Sequence, residues 1–93
     1  FSLGQNFPNP FNSETAIRFA LEARGEVELV IYNLSGQRVA VLAEGWHPAG
    51  RHEVRWDLRA RQELASGVYF YRIVVTGDDK NTFTSSKKML LLK

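Results

Sequence analysis

Glu26-Val27-Glu28-Leu29-Val30-Ile31-Tyr32-Asn33-Leu34-Ser35-Gly36-Gln37-Arg38-Val39-Ala40-Val41-Leu42 is the stretch that decides the fold of this chain. Within Glu26–Tyr32, the residues Val27, Leu29 and Ile31 alternate with Glu28, Val30 and Tyr32. A period of two places one set on a single face only if the backbone is extended. Asn33-Leu34-Ser35-Gly36 then supplies turn chemistry, with Gly36 free to take positive φ, and Arg38–Leu42 returns as a short strand. The pair reads as a β-hairpin.

The same period governs the chain on either side of it. In Thr15–Leu21, the residues Ile17, Phe19 and Leu21 share a face, and a short strand at Leu3–Asn6 can precede it. After the hairpin, Ala43–Gly50 reads as a loop punctuated by Gly45, Pro48 and Gly50. Glu53–Asp57 is a strand with Val54 and Trp56 on one face, and Leu58–Ser66 has room for one helical turn, ended by Ser66-Gly67. Val68–Thr76 carries β-branched and aromatic residues on both faces, as a central strand does. Gly77-Asp78-Asp79 turns the chain into Thr82–Leu92, which is polar at first and apolar at its end. These spacings predict an all-β fold, an immunoglobulin-like Greek-key β-sandwich of about seven antiparallel strands without a disulfide, with a small open barrel as the alternative. No repeat or linker divides residues 1–93, so they read as one domain.

Composition narrows the chemistry. A chain of 93 residues has room for one core, and buries roughly two-thirds of its unfolded surface. The net charge is only +2, with basic residues interleaved among Glu and Asp, which is not a nucleic-acid footprint. There is no cysteine, which removes disulfide, thiolate-metal and thiol-catalysis readings together. No apolar run has the length of a transmembrane helix. The chain starts without Met or a signal peptide, so Phe1 is expected to lie inside a longer polypeptide and Lys93 to be its natural end.

Enzymatic readings fail residue by residue, and no catalytic residue, metal or cofactor is expected. His47 and His52 are the only imidazoles. His52 shares strand parity with Val54 and Trp56 and is expected to be half-buried; His47, between Trp46 and Pro48, is expected in an exposed loop. Asp57, Asp78 and Asp79 lack calcium-loop spacing. The glycines are scattered as turn punctuation rather than gathered into a phosphate cradle. Asn33-Leu34-Ser35 matches a glycosylation sequon, yet turn chemistry already explains both polar residues. Trp46, Trp56, Tyr32, Tyr69 and Tyr71 could form a sugar-stacking platform, which would make this a carbohydrate-binding accessory domain. Core packing is the simpler explanation for all but the loop residue Trp46.

Two segments ask for more than folding. In Gln5-Asn6-Phe7-Pro8-Asn9-Pro10-Phe11-Asn12, two prolines stiffen a lead-in with Phe7 and Phe11 as anchors. The other is the terminus, Lys87-Lys88-Met89-Leu90-Leu91-Leu92-Lys93, where chain ends usually fray. One reading makes it an edge strand whose lysines deter aggregation. The other makes it a strand presented to a receptor, offering charge selectivity and main-chain pairing. Physical chemistry alone leaves both open.

Those segments also carry a resemblance. Asn6-Phe7-Pro8-Asn9-Pro10-Phe11-Asn12, Tyr32-Asn33-Leu34-Ser35-Gly36-Gln37-Arg38-Val39, Pro48-Ala49-Gly50 before Trp56-Asp57, Ser66-Gly67-Val68-Tyr69-Phe70-Tyr71-Arg72 and the closing Lys87–Lys93 stand in order along the whole chain. Together they resemble the C-terminal sorting domain of proteins exported by the type IX secretion system of Bacteroidetes-type bacteria. Phe7 stands where many members carry Tyr. The immunoglobulin-like domain of the flagellar hook-capping protein, a structural assembly module, shares the Pro-Asn-Pro-Phe, Gly-Val-Tyr and Lys-Met features.

The resemblance implies a non-catalytic domain covalently linked to an upstream cargo, often a hydrolase. That cargo passes the periplasm, crosses an outer-membrane translocon and meets a sortase-like protease that attaches it to the cell surface. It implies that Lys87, Lys88, Met89, Leu90, Leu91, Leu92 and Lys93 form the recognition signal. Pro8, Asn9, Pro10, Phe11, Gly36, Gly50, Trp56, Gly67, Tyr69 and Arg72 map onto the family's structural motifs.

Overall fold

The structure, a computed structural model, describes all residues from Phe1 to Lys93. Seven strands follow one another: β1 (Ser2–Leu3), β2 (Glu14–Leu21), β3 (Gly25–Tyr32), β4 (Arg38–His47), β5 (Gly50–Asp57), β6 (Gly67–Gly77) and β7 (Thr82–Leu91). They form two antiparallel sheets, β1-β2-β5 and β4-β3-β6-β7. The chain changes sheet between β2 and β3, between β4 and β5, and again between β5 and β6, which gives the expected Greek-key sandwich. No ladder joins the two sheets, so the open-barrel alternative does not apply.

Alternation explains how the core fills. Ile17, Phe19 and Leu21 from β2 face Val27, Leu29 and Ile31 from β3, with Tyr71, Ile73 and Val75 of β6 beside them, all at most 5% exposed. Each such side chain stabilises the fold by about 1.5–3 kcal/mol relative to its exposed state. The central position expected for Val68–Thr76 holds: β6 pairs with β3 on one side and β7 on the other. Val30 is also buried, though it lies on the outer face, in register with Val41 and Arg72.

Four of the expected elements need correction. Ala43–Gly50 is not a loop, because β4 runs on to His47. Its ladder to β3 is interrupted between Leu29 and Val30 and between Ile31 and Tyr32, which leaves Leu42 and Val39 as extra residues and shifts the phase of the strand. Gly45 at φ 103° adds a further irregularity. Leu58–Ser66 forms two successive turns, closed by Arg61 N–H to Leu58 O (2.8 Å) and Leu64 N–H to Arg61 O (3.3 Å), with no helix. The first strand is Ser2–Leu3 rather than Leu3–Asn6, because beyond Gly4 the backbone of the lead-in pairs with that of β2 only at Phe7. The last strand ends at Leu91 rather than Leu92.

The histidines sit where edge strands β4 and β5 meet. His52 is half-buried as expected, stacked on Phe19 with ring centroids 5.1 Å apart. His47 is not an exposed loop residue: it ends β4, half-buried, with its ring 5.3 Å from that of His52. The two imidazoles plug one corner of the sandwich.

Candidate recognition site at the terminal strand

The lead-in and the terminus, which sequence alone left as separate segments, are one structure. Phe11 forms a parallel bridge with Leu91: its N–H donates to Leu90 O (3.0 Å), and its carbonyl accepts from Leu92 N–H (2.9 Å). The Asn9 side chain accepts the Leu90 N–H at 2.9 Å, and Gln5 Nε2 donates to Lys88 O at 2.7 Å. Residues Gln5 to Phe11 therefore run along the outer edge of β7 from Lys88 to Leu92. Replacing Asn9 by Ala removes one of these bonds at an exposed position. Thermal unfolding should drop by about 5 °C, equivalent to roughly 1 kcal/mol.

A buried polar network fixes the lead-in from the other side. Tyr71 OH donates to Gly4 O (2.7 Å) and accepts from Asn6 N–H (2.9 Å). Asn6 Nδ2 donates to Thr15 Oγ1 (3.0 Å) and to Pro8 O (3.2 Å), and Thr15 Oγ1 donates to Pro8 O (2.8 Å). Asn6 and Thr15 are both buried, and no buried side-chain polar atom lacks a partner. Burial pushes the Tyr71 phenol up to about 12, with the Asn6 N–H pulling weakly the other way. Sequence reading missed Gln5, Asn6, Thr15 and Tyr71 as members of this assembly; their partners are remote, and no local pattern announces them.

The expected anchors divide. Phe11 is buried against Trp56, with centroids 5.8 Å apart. Phe7 is 79% exposed and anchors nothing. Its backbone pairs with Ala16, whose parity opposes that of Ile17, so the Phe7 side chain shares the outer face of β2. Both X–Pro bonds of the lead-in, Phe7–Pro8 and Asn9–Pro10, are cis.

The terminal residues divide as well. Met89 and Leu91 are core residues, Leu90 and Lys87 are half-buried, and Lys88 and Leu92 face solvent. Lys93 is held in place: its N–H donates to Ser66 Oγ (2.8 Å) and its ammonium to Arg61 O (3.2 Å) and Gln62 O (3.0 Å). Lys87 and Lys88 make no ion pair.

The remaining motif residues build the frame. Gly36 (φ 83°) closes the β3–β4 turn, where Asn33 Oδ1 accepts from Ser35 and Gln37 N–H, each at 3.0 Å. Gly50 and Gly67 open β5 and β6 with φ of 122° and 146°, conformations that cost a residue with a Cβ about 1–3 kcal/mol. Trp56 and Tyr69 pack edge to face in the core, and Tyr69 OH donates to Ala65 O (2.7 Å). Arg72 lies on the outer face and donates to Tyr32 OH at 2.9 Å.

No sugar platform is assembled. Trp56, Tyr69 and Tyr71 are internal, while Trp46 stands on β4 with the Arg24 guanidinium 4.6 Å over its ring. The acidic candidates for a cation are engaged separately: Asp57 by Arg59, Asp78 by Arg24, and Asp79 by Asn81. Hydrogen bonds from Arg59 hold the Asp57 carboxyl down at about 2.

Comparison with known proteins gives a consistent picture. Residues 5–91 match the family described as "Secretion system C-terminal sorting domain". No curated protein matches in sequence. Among solved structures, dimeric latent PorU from Porphyromonas gingivalis superposes with a TM-score of 0.73 at 24% identity, over 95% of this chain and 9% of that one. CopC from Methylosinus trichosporium OB3b superposes with a TM-score of 0.56 at 20% identity, over 96% and 90% of the two chains. Identities this low speak for the sandwich alone. The sequence match takes in both the Pro-Asn-Pro lead-in and the strand it seals, and on that ground the chain belongs to the secretion system C-terminal sorting domain family, the sorting signals of type IX secretion.

Proposed function

We propose that this domain is the address carried by a covalently linked upstream cargo, a hydrolase. The cargo passes the periplasm, crosses the outer-membrane translocon and is handed to a sortase-like protease for surface attachment. The domain contributes no catalysis; it is read. The observation that carries this reading is the family match over residues 5–91, which includes all of β7.

The geometry supports a division of labour within Lys87–Lys93. Met89 and Leu91 face the core and hold the strand in register, and Lys93 closes onto the Arg61–Ser66 turns. The surface a reader meets is Lys88, Leu90 and Leu92, one face of the strand. Deleting Lys88–Lys93 is therefore a poor test, because it strips two core residues along with the surface. The better variant is Lys88→Glu combined with Leu92→Asp, fused behind a reporter in a secretion-competent host. Surface reporter should fall about tenfold, as loss of a charge contact and an apolar contact implies. The melting temperature of the purified domain should stay put. Native-level export from this folded variant would remove these residues from the recognition signal.

A further inference from the structure

The seal along β7 is incomplete, and where it stops is informative. Leu90 and Leu92 send their outward backbone groups to Asn9 and Phe11, so by the two-residue period Lys88, Ser86, Thr84 and Thr82 also point theirs away from β6. Of these, only the Lys88 carbonyl has a partner, the Gln5 amide. From Thr82 to the Lys88 N–H the edge is unpaired, about 20 Å of strand. Phe1 packs tilted against the Phe83 ring there, with centroids 5.6 Å apart, and β1 lies close by, but neither bonds the outward backbone of β7.

Every other sheet edge in the molecule is blunted. β1 has only two residues, β4 is broken by two register shifts and Gly45, and β5 alternates Arg51, Glu53, Arg55 and Asp57 outward. Thr82-Phe83-Thr84-Ser85-Ser86 has no charge, no proline and an unbroken ladder behind it. Such an edge is a template for strand addition. The charge is positive toward its Lys88 end: neither β6 nor β7 holds an acidic residue, Arg72, Lys87 and Lys88 gather there, and Asp78 and Asp79 lie at the opposite end, in the turn before Thr82.

We propose that Thr82–Lys88 accepts an added strand from the export machinery, an extended segment rich in Asp or Glu, paired through the outward backbone of Thr84 and Ser86 and the Lys88 N–H. The proposal rests on the sorting reading above and deepens it: main-chain recognition uses the open half of β7, while the apolar terminus is already paired within the domain. Lys87 and Lys88, on opposite faces of the sheet, give the acidic segment a partner whichever way its side chains alternate.

The test is a proline placed where it removes only an outward donor. Ser86→Pro and Thr84→Pro each delete an N–H facing the partner and none in the ladder to β6. Ser86→Ala controls for the side chain. In the reporter fusion, each proline variant should lower export about tenfold, Ser86→Ala should not, and melting of the purified domain should hold within a few degrees. If one proline variant fails to fold, the other carries the test alone. Native-level export from a folded proline variant overturns strand addition while the sorting reading stands. A fusion of the unaltered domain that is not exported removes the sorting reading itself. In light scattering the isolated domain should be a monomer; a dimer dispersed by Ser86→Pro would assign the edge to a second copy and overturn the proposal.

Discussion

Leu91→Ala should destabilise the domain by about 3–4 kcal/mol, a loss read as a fall in melting temperature of roughly 15 °C. Leu91 is fully buried, bridged to Phe11 on its outer side and in register with Gly67 on β6. Because the ladders on both sides fix the backbone, the site cannot collapse onto a smaller side chain. A domain this small has only about 5–10 kcal/mol in total, so the variant stands near the edge of unfolding in a warm cell. Its export should fail, but through lost structure. Denaturant melts separate that case from Leu92→Asp one residue on, which leaves the core intact and should melt like the parent.

Tyr71→Phe should cost about 2–3 kcal/mol at neutral pH. The variant loses the bond to Gly4 O and leaves the Asn6 N–H buried without an acceptor. The same residue imposes a pH dependence. Tyr71 ionises at about 12 in the folded protein against an ordinary 10, so the native state holds this proton more tightly than the unfolded chain does. The corresponding stability is fully present below pH 10 and disappears as pH rises from 10 toward 12. Two units correspond to about 2–3 kcal/mol. Melting curves of the two proteins should therefore stand apart at pH 9 and converge by pH 12. A constant gap across that range would mean that the phenol is not the group responsible.

The sandwich was legible because most of its strands bury one face and solvate the other, as at Ile17, Phe19 and Leu21. Of β4 only Arg38–Leu42 was legible, and the reason is physical: the inward positions of its second half are Ala43, Gly45 and His47, which do not read as a buried apolar face, and Gly45 mimics a turn. Once that segment is a strand, His47 can no longer be a loop residue, and it turns inward beside His52. The two functional segments were visible one by one, from prolines and from an apolar end flanked by lysines. Their union was not, because the Asn9–Leu90 and Gln5–Lys88 bonds span 81 and 83 positions and leave no local signature. Phe7 misled for the same reason: its exposure follows from pairing with Ala16, a matter of register that composition does not carry.

The bridge between Phe11 and Leu91 also sets an order of events during synthesis. The segment that emerges first finds its parallel partner only in the last strand to emerge, so nearly the whole domain must be made before either is secured. Contacts this distant are slow to form and come late. A nascent chain halted before Leu90 leaves the lead-in without an acceptor, Phe11 uncovered and Tyr71 holding a loose end, which makes it prey for proteases. The fold thus proofreads its own completeness: a cargo shows a finished address only after the ribosome has delivered the final strand.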